Sequence, residues 1–165
     1  MFDIIELIWE YQMLLWKSES LGVALLDDER GRLIGLGKLL EARDPGAARN
    51  GRRSARVRLR GPVQYTVPGG FAAGELCDVG GGGLSMTVRR ALGVGVRTLI
   101  RLVDPVGGCE YTFPARVVWA ASGRRPVLGL VFDGVPLRTI FNAQPLGAWR
   151  ADLRLGESAD LPISA

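Results

Sequence analysis

The chain is 165 residues long, room for one domain with a real core plus an appendage but not for two independent domains, and its 47% apolar and 23% charged residues describe a folded protein rather than a disordered tail. It contains no histidine and only two cysteines, Cys77 and Cys109, so the commonest general base and metal ligand is missing and a four-ligand zinc site is out of reach; ordinary hydrolase or metalloenzyme chemistry is not expected. The net charge of +4 is unevenly spread: nine acidic against five basic residues precede Pro45 (net −4), whereas sixteen arginines and no lysine against eight acidic residues follow it (net +8), so the anion-binding potential belongs to the second part.

The opening stretch MFDIIELIWEYQMLLW is apolar, but Asp3, Glu6 and Glu10 interrupt it, and it falls short of the roughly 20 apolar residues that span a bilayer. Ile4, Ile5, Ile8, Tyr11 and Leu15 recur at intervals of three and four, the mark of an amphipathic helix. Residues 18–26 form a connection. LDDERGRLIGLGKLLEARDPG then opens with Asp27 and Asp28 near a helix start and stops at Pro45 and Gly46, with Leu33, Leu36, Leu39 and Leu40 on one face. Gly31, Gly35 and Gly37 weaken this helix by roughly 1 kcal/mol each relative to alanine, so it has to lean on packing. The two helices make an antiparallel hairpin, residues 1–45, that covers either the neighbouring domain or a second copy of the chain.

From Gly51 onward the period changes to two. VRLRGPVQYTV places Val57, Leu59, Val63, Tyr65 and Val67 on one side and arginines on the other. Gly69 and Gly70 make a turn into FAAGELCDV, and LSMTV follows a run of glycines. GVRTLIRLVDP ends at Asp104 and Pro105; CEYTFPARVVWAA contains Pro114, which implies an edge or a bulge; SGRRP turns the chain into VLGLVFDGVP. Six short strands with turns every ten residues or so specify a mainly β fold, a six-stranded antiparallel barrel over residues 46–144. A short C-terminal helix at 137–142 is expected to cap it, followed by a tail, residues 145–165. With no secretory signal ahead of them, Cys77 and Cys109 are expected as reduced, buried thiols of a cytoplasmic protein.

Gly80 to Gly83 cannot serve strand stability, because glycine loses the most entropy on ordering and has no side chain to pack. Either something needs the backbone to come close, or the run is a tight bend at a barrel corner. A phosphate loop would continue with lysine and a hydroxyl residue, and a dinucleotide fingerprint with a helix; neither follows.

Ahead of the first strand, GRRSARVRL sets Arg52 and Arg56 four residues apart with Arg53 between them, and CDVGGGG follows the second strand. Together these stretches resemble the PilZ family, whose signature is RxxxR leading into the first barrel strand and [D/N]xSxxG in the turn after the second. Arg52 and Arg56 match the first motif, and Asp78 and Gly83 match the acidic position and the last glycine of the second. ARVVWAASGRRPVLGLVFDGV resembles the family's closing strands, in which VxW turns back into GLxF, so the likeness runs from Arg49 to Phe141. One position departs: the motif serine is Gly80 here. The resemblance implies a PilZ-type barrel and a non-catalytic receptor for the bacterial second messenger cyclic di-GMP, with no cofactor. Its ligand-binding residues would be Arg52, Arg53, Arg56, Asp78, Gly80 and Gly83, the arginines gripping phosphates and guanine acceptor edges while the aspartate faces a guanine's donors. Loss of one neutral hydroxyl contact costs about 0.5–1.5 kcal/mol, up to roughly tenfold in affinity, which weakens such a site without removing it. Binding would order the connector GAARNG, residues 46–51, and alter contacts with an unidentified protein partner; the hairpin also offers a route to a homodimer.

The serine-to-glycine change leaves room for an alternative, a degenerate family member that acts as a protein-binding adaptor with weak or no ligand binding. A basic barrel can also be a nucleic-acid module, with Tyr65, Tyr111 and Phe113 as stacking platforms, but strand aromatics are more often core and nucleic acid is not expected. Nor is catalysis: Asp78 and Asp133 have no partner base, and no nucleophile stands out.

Overall fold

The computed structural model describes residues 2–42 and 56–141. Arg52, Arg53, the connector at 46–51 and the tail at 145–165 lie outside the described residues.

Helices α1 (Phe2–Glu19) and α2 (Asp27–Ala42) form the hairpin. α2 starts where the Leu26 carbonyl accepts from the Arg30 amide at 2.9 Å while the Leu26 amide donates back to Glu29 Oε2 at 3.0 Å, one half of a capping box. Glu29 also receives Lys17 Nζ at 2.6 Å, and Arg32 forks onto Glu10 at 2.7 and 2.8 Å, so two ion pairs tie the arms together. Exposed pairs of this kind contribute little; the hairpin is held by apolar contact. Ile4, Ile5, Ile8 and Leu40 belong to the same buried cluster as Leu76, Val79 and Leu84, so the hairpin covers the chain's own barrel. Of the α2 leucines assigned to one face, Leu36 and Leu40 are buried and Leu33 is half-buried, but Leu39 is exposed. Each residue turns the helix by about 100°, and with the 36–40 line aimed at the core, position 39 points aside. Among the described residues no helix is long and apolar enough to cross a membrane.

Strands β1 (Arg56–Val67), β2 (Gly70–Gly80), β3 (Gly83–Val88), β4 (Arg97–Asp104), β5 (Cys109–Ala121) and β6 (Val127–Phe132) pair antiparallel in the order β4-β1-β2-β3-β6-β5, and β5 returns to β4 to close the six-stranded barrel. Alternation decides what fills it. Val63, Ile100, Leu102 and Leu130 point in; Arg58 and Arg60 point out. Tyr65, Tyr111 and Phe113 are 0%, 2% and 1% exposed, so the aromatics a nucleic-acid surface would need are core instead. Tyr65 reaches the core's edge, where its hydroxyl donates to Arg90 O at 2.7 Å and accepts from Arg90 N at 3.1 Å, fixing the loop after β3. Burial, with Glu6 adding to it, pushes the Tyr111 phenol up to about 12.

The short helix expected at 137–142 is not what its described part forms. Leu137–Ile140 is a seventh strand, β7, paired antiparallel with β5 from Cys109↔Ile140 to Thr112↔Leu137. β6 pairs only with the later part of β5, from Ala115 on, which leaves an open edge that a short stretch ending in two β-branched residues satisfies. Pro114 sits where β5 changes partner from β7 to β6: its carbonyl accepts from Asp133 N at 2.9 Å, and the gap between partners is where a missing amide is tolerated.

Candidate functional site

The geometry of the site follows from a count. With Gly81 and Gly82 as a two-residue turn, Gly80 pairs with Gly83, Val79 with Leu84 and Asp78 with Ser85. On the other side of β2, β1 sets Arg58 opposite Asp78 and Arg56 opposite Gly80. β3 in turn sets Ser85 against Gly129 of β6, and β6 sets Gly129 against Trp119 of β5. Directly opposed residues share a face, so a single row, Arg58, Asp78, Ser85, Gly129, Trp119, crosses five strands on the outside of the barrel.

Two side chains of this row are joined to each other and to Arg56 beside it. Ser85 Oγ donates to Asp78 Oδ2 at 2.6 Å, and Arg56 Nη1 donates to Asp78 Oδ1 at 2.9 Å, so the carboxylate is held from two strands at once. Ser85 is 3% exposed, whereas the side chains of Arg56 and Asp78 keep 20% and 28% of their surface. Trp119 lies directly over Gly129, where any Cβ would collide with the indole, so this glycine is the notch that lets the ring lie flat against β6.

Beside the row, the outer face of β1–β3 opens into a groove of about 300 Å³ lined by Arg58, Arg60, Cys77, Asp78, Thr87 and Arg125. It adjoins a depression of about 270 Å³ that shares Glu75, Thr87 and Arg125 with it and adds Gly74 and Arg89. Four arginines against Glu75 and Asp78 make this a surface for anions, and planar guanidinium forks suit phosphate oxygens taken two at a time.

Of the residues assigned to the site from sequence, Arg56 and Asp78 come together; Arg52 and Arg53 fall outside the described residues. Gly80 and Gly83 stand opposite each other and are both buried. The close backbone approach is real, but the partners are the protein's own. A Cβ on Gly83 would collide with the Leu130 carbonyl oxygen and stand 3.0 Å from Val131 Cα, while one on Gly81 would lie 3.1 Å from Tyr11 Cε1 and 3.4 Å from Leu40 Cδ1. Gln12 Nε2 donates to the Gly81 carbonyl, so the hairpin is seated on the glycine turn. Among the described glycines with positive φ, none lies in the run 80–83, so at Gly81 and Gly83 contact rather than conformation selects glycine. Ser85, Trp119, Arg58, Arg60 and Arg125 were not assigned from sequence. Ser85 was within reach: it is the one polar residue in LSM, and the count from the turn places it beside Asp78.

Residues 50–143 match the family model described as PilZ domain. Among solved structures, the chain is similar to YcgR from Escherichia coli, determined in complex with c-di-GMP, with a TM-score of 0.37 and 16% identity. That match takes in 59% of this chain and 41% of the other, less than half of the solved chain's length. A search of curated proteins finds no match.

Proposed function

The chain belongs to the PilZ domain family, and on that premise we propose that it is a non-catalytic receptor for cyclic di-GMP that converts ligand binding into altered contacts with a protein partner. The observation that carries this is the meeting of Arg56 and Asp78, 22 residues apart in sequence, at 2.9 Å on the rim of an arginine-lined groove. Cyclic di-GMP brings two phosphodiester charges and two guanines. Guanidinium forks match phosphate oxygens and the N7/O6 edge of guanine, and a carboxylate accepts from guanine's ring N–H and amino group. Arg52 is four residues before Arg56, a span of at most about 14 Å, so Arg52 and Arg53 are within reach of a ligand lying at Asp78.

The route from ligand to output is equally short. The segment carrying Arg52 and Arg53 joins the end of α2 to the start of β1, and Gln12, Tyr11 and Leu40 of the hairpin rest on Gly81, three residues from Asp78. A ligand held by Arg52 and Arg53 therefore acts on both attachments of the hairpin, and a partner bound to the hairpin senses the difference between the two states.

Calorimetric titration of the purified protein with cyclic di-GMP tests this. Binding in the low micromolar range or weaker is expected, abolished by Arg56→Ala and weakened as salt rises. Absence of heat from wild type at millimolar ligand would refute the receptor. Gly80 favours a second reading, an adaptor that has lost the nucleotide; wild type without heat together with binding by Gly80→Ser would establish it.

A further inference from the structure

We propose that Ser85 is a positioning residue for the cyclic dinucleotide site: from the strand opposite, it supplies the hydroxyl that the motif lacks at Gly80 and holds Asp78 in the orientation that meets the ligand. This rests on the receptor reading above and extends it to a residue outside the family signature.

The placement is specific. Ser85 sits between two large core residues, Leu84 and Met86, each 0% exposed, and its own side chain turns to the opposite face. At 3% exposure a hydroxyl needs a partner, and the one it has is Asp78 Oδ2 at 2.6 Å, a short hydrogen bond onto a carboxylate of the stronger, charge-assisted kind. The neighbouring position on the other side, Gly129, carries no side chain that could compete for it.

The two oxygens of Asp78 are therefore held differently. Oδ2 is tied to a buried hydroxyl on a central strand, whereas Oδ1 faces Arg56 in a pair whose members keep a fifth to a quarter of their surface. An ion pair that keeps some contact with water exchanges partners more readily than a buried charge-assisted hydrogen bond. When the ligand arrives, its phosphate competes for Arg56 and its guanine donors take the place at Oδ1. Ser85 keeps the carboxylate plane fixed throughout, and because each carboxylate oxygen accepts two hydrogen bonds, Oδ2 also stays open to a second guanine donor. A serine two residues after the aspartate would add a hydroxyl from the same strand; here it comes across the ladder instead.

Calorimetry on Ser85→Ala and Ser85→Thr separates this from a packing role. Ser85→Ala is expected to bind cyclic di-GMP about tenfold more weakly, and Ser85→Thr, which keeps the hydroxyl, within about twofold of wild type. Cyclic di-AMP, which presents no guanine donors to Asp78, serves as the second titrant, and its weaker binding is expected to be the same in wild type and Ser85→Ala. Circular dichroism establishes that each variant is folded; if Ser85→Ala is not, Ser85→Cys, a poor donor of similar size, is read in its place. Ser85→Ala binding cyclic di-GMP as tightly as wild type overturns the assignment, as does equal weakening by Ser85→Ala and Ser85→Thr. Wild type that binds no cyclic di-GMP overturns the receptor reading itself.

Discussion

Replacing Gly83 by alanine is the sharpest structural test of why the motif glycine is there. Gly83 opens β3 opposite Val131, and an added Cβ would run into the Leu130 carbonyl oxygen with Leu130 C and Val131 Cα each 3.0 Å away. All of these atoms are main chain in a paired strand, so they cannot swing aside as a side chain would. Relief requires β3 and β6 to part locally, which disturbs the ladder from Gly83↔Val131 to Leu84↔Leu130 and the packing of two leucines that are fully buried. Overpacking of a core costs about 1–3 kcal/mol, and a rigid obstacle argues for the upper half of that range. At roughly 4 °C per kcal/mol for a domain of this size, the melting temperature should fall by roughly 8–12 °C. Thermal unfolding followed by far-ultraviolet circular dichroism reads this directly. A Gly83→Ala protein melting within about 2 °C of wild type would refute the argument that β6, rather than a ligand, dictates the residue.

The opposite sign is expected in α2, where Gly31 and Gly35 are helical with nothing within 4 Å of an added Cβ: each change to alanine should stabilise by about 0.5–1 kcal/mol, visible as a higher urea midpoint. Tyr65→Phe removes the hydroxyl that both donates to and accepts from Arg90, so stability should drop by about 1–2 kcal/mol and the Arg90 amide should exchange faster with solvent. For Tyr111 the native phenol stays protonated up to about pH 12, while its unfolded value is near 10. Between those values the unfolded chain binds fewer protons, so this contribution to stability is complete below pH 10 and is lost as pH rises towards 12; a melting-temperature profile over that range should be flatter for Tyr111→Phe.

The barrel was readable because most of its strands alternate cleanly: in RTLIRLVD the sides facing in and out separate by parity alone, and the observed burial follows it. Arg56 and Asp78 were picked out by the resemblance to the PilZ signature, and the fold brings those two side chains together. Other features depended on tertiary partners. LRTI is too short for its period to distinguish helix from strand, and only the open edge of β5 between Cys109 and Thr112 decides in favour of β7. Leu39 fits an apolar face until the core fixes which way α2 turns. Four glycines in a row announce close contact, but not that Tyr11, Leu40 and the β6 backbone are what comes close. The bulge between Leu76 and Asp78 shifts the ladder by one, so pairs counted from the far end of β2 miss Ser85, whereas those counted from the turn find it.

Because Gly83 answers to the main chain of β6, it would persist in a relative that had abandoned the nucleotide altogether. Its presence is a badge of the barrel, not of the messenger. Finding a glycine at this place therefore tells how the sheet closes and is silent on whether a given barrel still takes a nucleotide.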